Sequence, residues 1–293
     1  PRVRRQRQMC IRDRDFICEN ENITLKEELM QHISKRFYKA IKSSHAVIRV
    51  NGIPYATYRE IHKGDKITVE YEYMEETGWP LYKSQLDIVF EDEYYLVVNK
   101  RRGLLAIPTK SEPYSLYQEV LYHLRETGQN MTASILNRLD KDTFGLTVVA
   151  KSRLAAYHLQ PTHQKMVRKY QCLCHGIITE DEGVIHNRID RLADSHRRYI
   201  SETSGKEAIS HYRVLKRFED YTLLEFVLET GRTHQIRLHT VCLGHPILGD
   251  TMYGTDKEGP LCLCSYYVRF YHAFIRKELE FSIESGWENG RTE

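Results

Sequence analysis

Two short stretches of this 293-residue chain concentrate side chains able to do chemistry. The first is Asn137-Arg138-Leu139-Asp140-Lys141-Asp142-Thr143-Phe144-Gly145-Leu146-Thr147-Val148-Val149-Ala150, an acidic loop that runs into a strongly apolar segment. Thr143 and Gly145 suit a turn, and two valines mark Leu146 to Ala150 as a buried strand. An acid at the mouth of a core strand is held rigidly yet can face a cleft, where a carboxylate serves as nucleophile, electrostatic stabiliser or general base. The bland reading is an Asp in a polar turn or helix cap. The second stretch is Gly231-Arg232-Thr233-His234-Gln235-Ile236-Arg237-Leu238-His239, followed by Gly244 to Asp250 and by Tyr253-Gly254. Alternation of Ile236 and Leu238 predicts a strand whose other face, with Thr233, Gln235 and Arg237, meets a polar cleft or solvent. His234, His239, His245 and Asp250 raise a metal-dependent hydrolase as a rival. A five-residue gap on a strand puts His234 and His239 on opposite faces, however, and no metal is expected.

Several elements must position these residues. Thr24 and Glu27 form a capping-box signature, and Leu25, Leu29 and Ile33 continue it as a first helix. A second helix is predicted after Ser34, with Lys35, Arg36, Lys39 and Lys42 around Phe37, Tyr38 and Ile41. Val47 to Val50 then meets Asn51-Gly52, a hairpin turn, and Gly64 to Val69 supplies a later strand. Periodicity fades between Glu70 and Gln85, which places a domain boundary there. Beyond it, strands such as Leu223 to Leu228 mix with helices near Leu116 to Leu124 and Leu154 to Gln160. There is no regular strand-helix-strand rhythm. The fold class is therefore α+β, a mixed and largely antiparallel sheet with flanking helices, preceded by a small αβ domain. The boundaries are residues 1–14 unstructured, 15–75 the small domain, 76–85 a linker, 86–284 the catalytic domain and 285–293 a tail.

Composition narrows the class. An apolar content of 41% is enough for a real core. No stretch approaches the length of a membrane span and no signal-peptide segment is evident, so a cytoplasmic location is expected. Seven cysteines, an odd number, are read as reduced, and the Cys172/Cys174 and Cys262/Cys264 pairs as core residues in preference to zinc ligands. Net charge is +3, but Pro1 to Arg14 alone carries +5, leaving −2 for the rest. An anionic partner must then be met by a local patch. That first segment has no periodic apolar face and resembles translated sequencing-adapter sequence; a basic RNA-binding tail is the alternative.

The two stretches, with Leu86 to Asp92 leading into Val97-Val98-Asn99-Lys100, Lys169-Tyr170 at the head of a strand, and Gly205-Lys206-Glu207-Ala208 before Tyr212 to Leu215, occur in one order. Together they resemble the Arg-Leu-Asp branch of the RNA pseudouridine synthases, which act on ribosomal and transfer RNA. The small domain, with its helix pair, its Val-Asn-Gly turn and its Gly-Asp return, resembles the S4-type RNA-binding domain. The resemblance implies an isomerase that cleaves the bond from ribose to uracil N1, turns the base and rejoins it through C5. No redox partner, group donor or other cofactor is needed. Its partner would be RNA, with no membrane and no required protein partner, and the chain would act as a monomer.

By the same resemblance, Asp140 is the catalytic aspartate and Arg237 the arginine that pairs with it, since a desolvated carboxylate keeps its charge only beside a cation. Tyr170 stacks on the extruded base, and Arg138 fills the space left in the RNA. Lys35, Arg36, Lys39 and Lys42 would contact RNA from the small domain; an ordinary solvated helix face is the alternative. Core burial is the alternative for Tyr170, and a protein that binds RNA without turning it over is the alternative for the whole chain. Three positions depart from the family pattern: Asn137 stands where His is usual, Phe144 where a small hydroxyl residue is usual, and Arg101 where Pro is common. Phe144 is expected to alter the cleft.

Overall fold

The computed structural model describes residues 11–290 apart from 13–14, 34, 36–37, 40–41, 43–45, 73–79, 84–85, 130–132, 160–165 and 194. Two bodies are built on separate cores. In the first, helix α1 (Leu25–His32) starts on the Thr24 and Glu27 capping box anticipated from sequence, with Thr24 and Glu27 satisfying one another's orphan backbone donors. Short strands β1 (Ile11–Arg12), β2 (Asp15–Ile17), β3 (Ile23–Thr24), β4 (Val47–Val50), β5 (Ile53–Pro54), β6 (Glu60–Ile61) and β7 (Lys66–Glu72) surround it. Asn51 and Gly52 both take positive φ, 51° and 81°, which closes the β4–β5 hairpin in the handedness that strand twist prefers. Leu25, Leu29, Ile61, Ile67 and Val69 form the core. The expectation that residues 1–14 lack structure is corrected in part. Ile11 and Arg12 pair with Glu72 and Tyr71 of β7, because β7 offers its free edge there. Most of the linker placed at 76–85 lies outside the described residues.

The second body is one 11-stranded sheet. Its strands are β8 (Ile88–Glu91), β9 (Tyr95–Lys100), β10 (Ser134–Ile135), β11 (Phe144–Ala150), β12 (Val167–His175), β13 (Glu182–Arg191), β14 (Arg198–Ser201), β15 (Lys206–Arg217), β16 (Tyr221–Leu228), β17 (Leu263–His272) and β18 (Lys277–Ser282). Their order is β14-β13-β15-β16-β12-β17-β11-β9-β8, with β10 on β11 and β18 on β17. Only the β11–β17 pair is parallel among these ladders. That pair is held by Gly145, whose φ is 116° and where a Cβ would stand 2.3 Å from the Ser265 carbonyl oxygen. Glycine is thus required at the point where the acidic loop enters the sheet. Helices α2 (Leu116–Glu126), α3 (Arg153–His158) and α4 (Gln235–Cys242) flank the sheet. The α+β reading, mixed and largely antiparallel, holds.

The four β12 and β17-edge cysteines, Cys172, Cys174, Cys262 and Cys264, are buried in the main core with Leu173, Leu224 and Phe226. Burial pushes the Cys172 and Cys264 thiols up, as befits packing residues. The two bodies touch through Phe274, which packs against both cores, and through a 2.7 Å ion pair between Arg276 and Glu19. Among the described residues, no helix is long and apolar enough to cross a membrane.

Candidate active site

A cleft of about 660 Å³ opens at the middle of the sheet, between the loop before β11, the start of β12 and the segment leading into α4. Asn137, Arg138, Asp140, Arg168, Tyr170, His234 and Arg237 all border it. The structure thus brings Asp140, Arg138, Tyr170 and Arg237, all singled out from sequence, to one cleft.

The Asp140 loop is fixed from three sides. Asn137 is buried; its amide nitrogen donates to the Leu146 carbonyl at 2.9 Å, and its oxygen accepts from the Val148 amide at 2.8 Å. The side chain thus extends the sheet ladder, which explains how an amide serves where a ring is usual. Thr143 donates its amide to the Asp140 carbonyl at 3.2 Å, closing the turn. Beneath lies Lys100, 1% exposed, whose Nζ donates to the carbonyls of Leu104, Arg101 and Lys141 at 2.8, 3.0 and 3.0 Å. Burial pulls its pKa down to about 8, against the pull of the Asp142 and Asp140 carboxylates. Lys100 ends the Val97-Val98-Asn99-Lys100 stretch, but nothing in its sequence context announces a buried ammonium tying the loop to β9.

Tyr170 is 6% exposed and burial raises its hydroxyl pKa. It belongs to the main core and also borders the cleft. Arg138 is exposed on the rim. The three lysines Lys35, Lys39 and Lys42 are exposed at helical positions of the first body, apart from the cleft, and Lys42 lies 5.7 Å from the Tyr38 ring centroid. Arg36 lies outside the described residues.

Two expectations about the second stretch are corrected. Gln235 to Cys242 is a helix and not a strand. Ile236 and Leu238 are both buried because this helix is enclosed on most sides, and that burial imitates strand alternation. Its entry is set by His234 in the left-handed region, φ 59°, and by the Gln235 amide, which accepts from the Arg232 amide at 2.9 Å and donates to the Ile209 carbonyl at 3.0 Å. The second correction concerns the direct partner of Arg237. It is Asp250, met by two bonds of 2.7 and 2.6 Å, with both side chains almost wholly buried. Asp140 reaches Arg237 only as a longer-range charge. Although burial opposes both ions, Asp250 holds Arg237 above its ordinary value and Arg237 holds Asp250 below. Asp250 also accepts the amides of Met252 and Tyr253, each at 3.0 Å.

The basic side chain that comes within ion-pair distance of Asp140 among the described residues is His234, with Nε2 4.0 Å from Oδ2. Burial depresses the His234 pKa despite the Asp140 charge. The histidines raised as metal ligands have separate duties: His234 meets Tyr253, His239 meets Ser210, and His245 meets the His175 carbonyl. No three ligand side chains converge among the described residues. Phe144 does not border the cleft. It faces the other side of the loop, under the Arg102 guanidinium at 4.1 Å and edge-on to Trp287. Arg101 makes a two-bond pair with buried Glu119 at 3.0 and 2.5 Å, a role a proline could not fill.

Known proteins share this framework. Residues 94–241 match the family described as RNA pseudouridylate synthase. The uncharacterized RNA pseudouridine synthase YjbO of Bacillus subtilis is 34% identical over 258 residues, covering 85% of this chain and 90% of that protein. Ribosomal large subunit pseudouridine synthase D of Pseudomonas aeruginosa is 39% identical over 222 residues, covering 75% and 69%. Among solved structures, human RNA pseudouridylate synthase domain containing 1 shares the fold, with a TM-score of 0.58 at 24% identity, over 70% of this chain and 85% of that one. With an acid-bearing loop, an aromatic wall and a basic rim meeting in one cleft, the chain belongs to the RNA pseudouridylate synthase family and is an isomerase acting on RNA.

Proposed function

We propose that Asp140 is the catalytic carboxylate and that the substrate is a uridine of ribosomal or transfer RNA, large-subunit ribosomal RNA foremost. The observation that carries the first part is the convergence of Asp140, Tyr170, Arg138 and His234 on one cleft whose volume suits a single nucleotide. The second part draws on relatives named for the large ribosomal subunit. A uridine in folded RNA must be turned out of its stack to reach such a cleft. Tyr170 offers the aromatic surface that receives the base, and the planar Arg138 guanidinium on the rim enters the gap in the RNA. Asp140 acts at the ribose or base as the N1 bond breaks, and it accepts or relays the C5 proton once the new bond has formed. Arg237 supports the site through Asp250 and Tyr253 and supplies positive charge behind Asp140. No cofactor enters this scheme.

The first body is read as an S4-like RNA-binding domain covering residues 15–75, joined by a linker to the catalytic domain at 86–284. Exposed Lys35, Lys39 and Lys42, with Arg36, would extend the RNA contact. The enzyme would work in the cytoplasm as a monomer. The test is Asp140→Asn, which keeps the shape of the side chain and removes its charge. Phosphate contacts dominate RNA affinity, so binding should persist while pseudouridine formation stops. Single-turnover conversion read by nucleoside chromatography, beside a titration of the same RNA, measures both. Substantial conversion by the Asn variant, with deamidation excluded by mass spectrometry, removes Asp140 from this role. A wild-type protein that binds RNA and converts none of it would establish the non-catalytic alternative.

A further inference from the structure

Among the described residues that border the cleft, Arg168 is the arginine left without a partner in the protein itself, beside a Thr143 hydroxyl that is also unpaired. It lies on β12 two residues before Tyr170, so both side chains leave the strand on the same face and border the cleft, roughly 7 Å apart along the strand. Its Nε is buried with no hydrogen-bond partner. No ion pair or hydrogen bond joins its guanidinium to any described residue, although the Arg168 charge is felt at the Tyr170 hydroxyl. The other arginines of this wall are engaged. Arg198 donates to the carbonyls of His196 and Arg197, Arg232 to that of Glu207, and Arg237 to Asp250. Arg138 stands out on the rim in solvent, where water satisfies it. A buried guanidinium donor without an acceptor is costly and uncommon, which marks a place where something else supplies the acceptor. Gly231 keeps the flank of the group open: a Cβ there would stand 3.3 Å from Nη1.

We propose that Arg168 is a phosphodiester-binding residue that grips the backbone of the extruded nucleotide while its base lies on Tyr170. A guanidinium matches phosphate oxygens with paired donors, and Arg168 and Tyr170 border one cleft from the same face of β12, where a phosphate and its own base can be met together. Asp140 cannot be the missing acceptor, since no bond between them forms and the acid is needed free. The grip would fix the ribose between Arg168 and Asp140, making the RNA backbone the handle by which the base is aligned. This assignment rests on the RNA-modifying reading of the cleft and adds to it the contact that orients the substrate.

The test uses the full chain and small probes, uridine and uridine 3′,5′-bisphosphate, so it does not depend on knowing the target RNA. Wild-type protein should bind the bisphosphate about tenfold or more tightly than uridine. Arg168→Met should bring that ratio close to one without changing uridine affinity, and Arg168→Lys should restore part of it. On wild-type protein labelled with ¹⁵N-arginine, the Arg168 Nε–H signal should move with the bisphosphate and stay put with uridine, a readout that needs no variant to fold. An unchanged ratio in Arg168→Met, an equal loss for both probes, or a bisphosphate titration that leaves the Arg168 signal unmoved would each overturn the assignment. Conversion of RNA is not measured, so failure here and failure of Asp140 as the catalytic group are separate results.

Discussion

The hydroxyl of Tyr253 lies 2.7 Å from Nδ1 of His234, and the same hydroxyl accepts the Arg198 amide at 2.8 Å. The amide occupies one acceptor position of the oxygen, and we expect the hydroxyl hydrogen to go to Nδ1, which leaves the neutral imidazole's own proton on Nε2. That is the nitrogen 4.0 Å from Asp140. Around the ring stand Asp140, Arg237, Arg198 and Asp250, and burial outweighs the carboxylates in keeping it neutral. In that tautomer the Nε2–H of His234 faces the acid across 4.0 Å. Histidine ¹⁵N spectra at neutral pH should show Nδ1 unprotonated, and Tyr253→Phe should shift the ring toward the other tautomer. Turnover should fall about two- to tenfold in that variant, with RNA binding little changed. A wild-type ring protonated on Nδ1 would reverse the assignment.

Arg237 and Asp250 form a buried pair, so removing one partner strands the other. Arg237→Met should destabilise the protein by about 3–5 kcal/mol. Asp250→Asn added to it removes the stranded charge and should recover part of the melting temperature. Turnover should stay low in the double variant, because the positive charge behind Asp140 is still missing. Melting curves and single-turnover rates on the three proteins separate the two effects. Recovery of turnover together with stability would mean that Arg237 serves the fold alone.

The contrast between Asp140 and Arg237 shows what sequence could disclose. The loop of Asp140 was legible because a turn-forming stretch and a run of β-branched residues are local signals; β11 contains the expected Leu146 to Ala150 but begins two residues earlier, at Phe144. The α1 capping box and the Asn51-Gly52 turn were legible for the same reason. Arg237 was assigned to the cleft correctly but to the wrong element. An enclosed helix buries Ile236 and Leu238 just as a strand does, and its entry depends on an unusual φ at His234 and on Gln235 bonds to β15 that no local pattern encodes. The partner of Arg237, Asp250, lies thirteen positions on, across a turn it organises itself. Lys100 was hidden because a lysine is ordinarily exposed; its three carbonyl partners come from two loops brought together only by the β9–β11 pairing. Phe144 was misjudged because the positive φ of Gly145 turns the chain there, so nearness to Asp140 in sequence says little about the face each side chain takes.

Lys100 gives a prediction of its own. Lys100→Met keeps the length of the side chain and removes the donors shared by Arg101, Leu104 and Lys141. Each buried carbonyl left without a donor costs about 1–3 kcal/mol. The loss falls on the residue that follows Asp140, so turnover should drop while RNA affinity changes little. Chemical denaturation, a binding titration and single-turnover rates test this together. Lower stability with full turnover would confine Lys100 to the fold.

His239 makes the acid response of the protein predictable. It is fully buried on α4, its Nδ1 lies 2.9 Å from the Ser210 hydroxyl, and Nε2 has no partner. Burial, helped by His186, lowers its pKa from 6.5 to about 4. In the unfolded chain the ring takes up a proton as pH falls through about 6.5, whereas in the folded protein it stays neutral until about 4. Protons therefore bind preferentially to the unfolded state in that window, and stability is lost as pH falls across it. The total is on the order of 3 kcal/mol, and the loss levels off below the folded pKa. His239→Asn places an amide near the position of Nδ1 and has no such titration. Its stability relative to wild type should be lowest above pH 7, rise steadily between about 6.5 and 4, and then stay constant. Denaturation midpoints of both proteins at matched pH values read the difference directly, with the other titrating groups common to both. A difference that does not vary with pH would show that the buried ring is protonated in the native protein or replaced without consequence for proton binding.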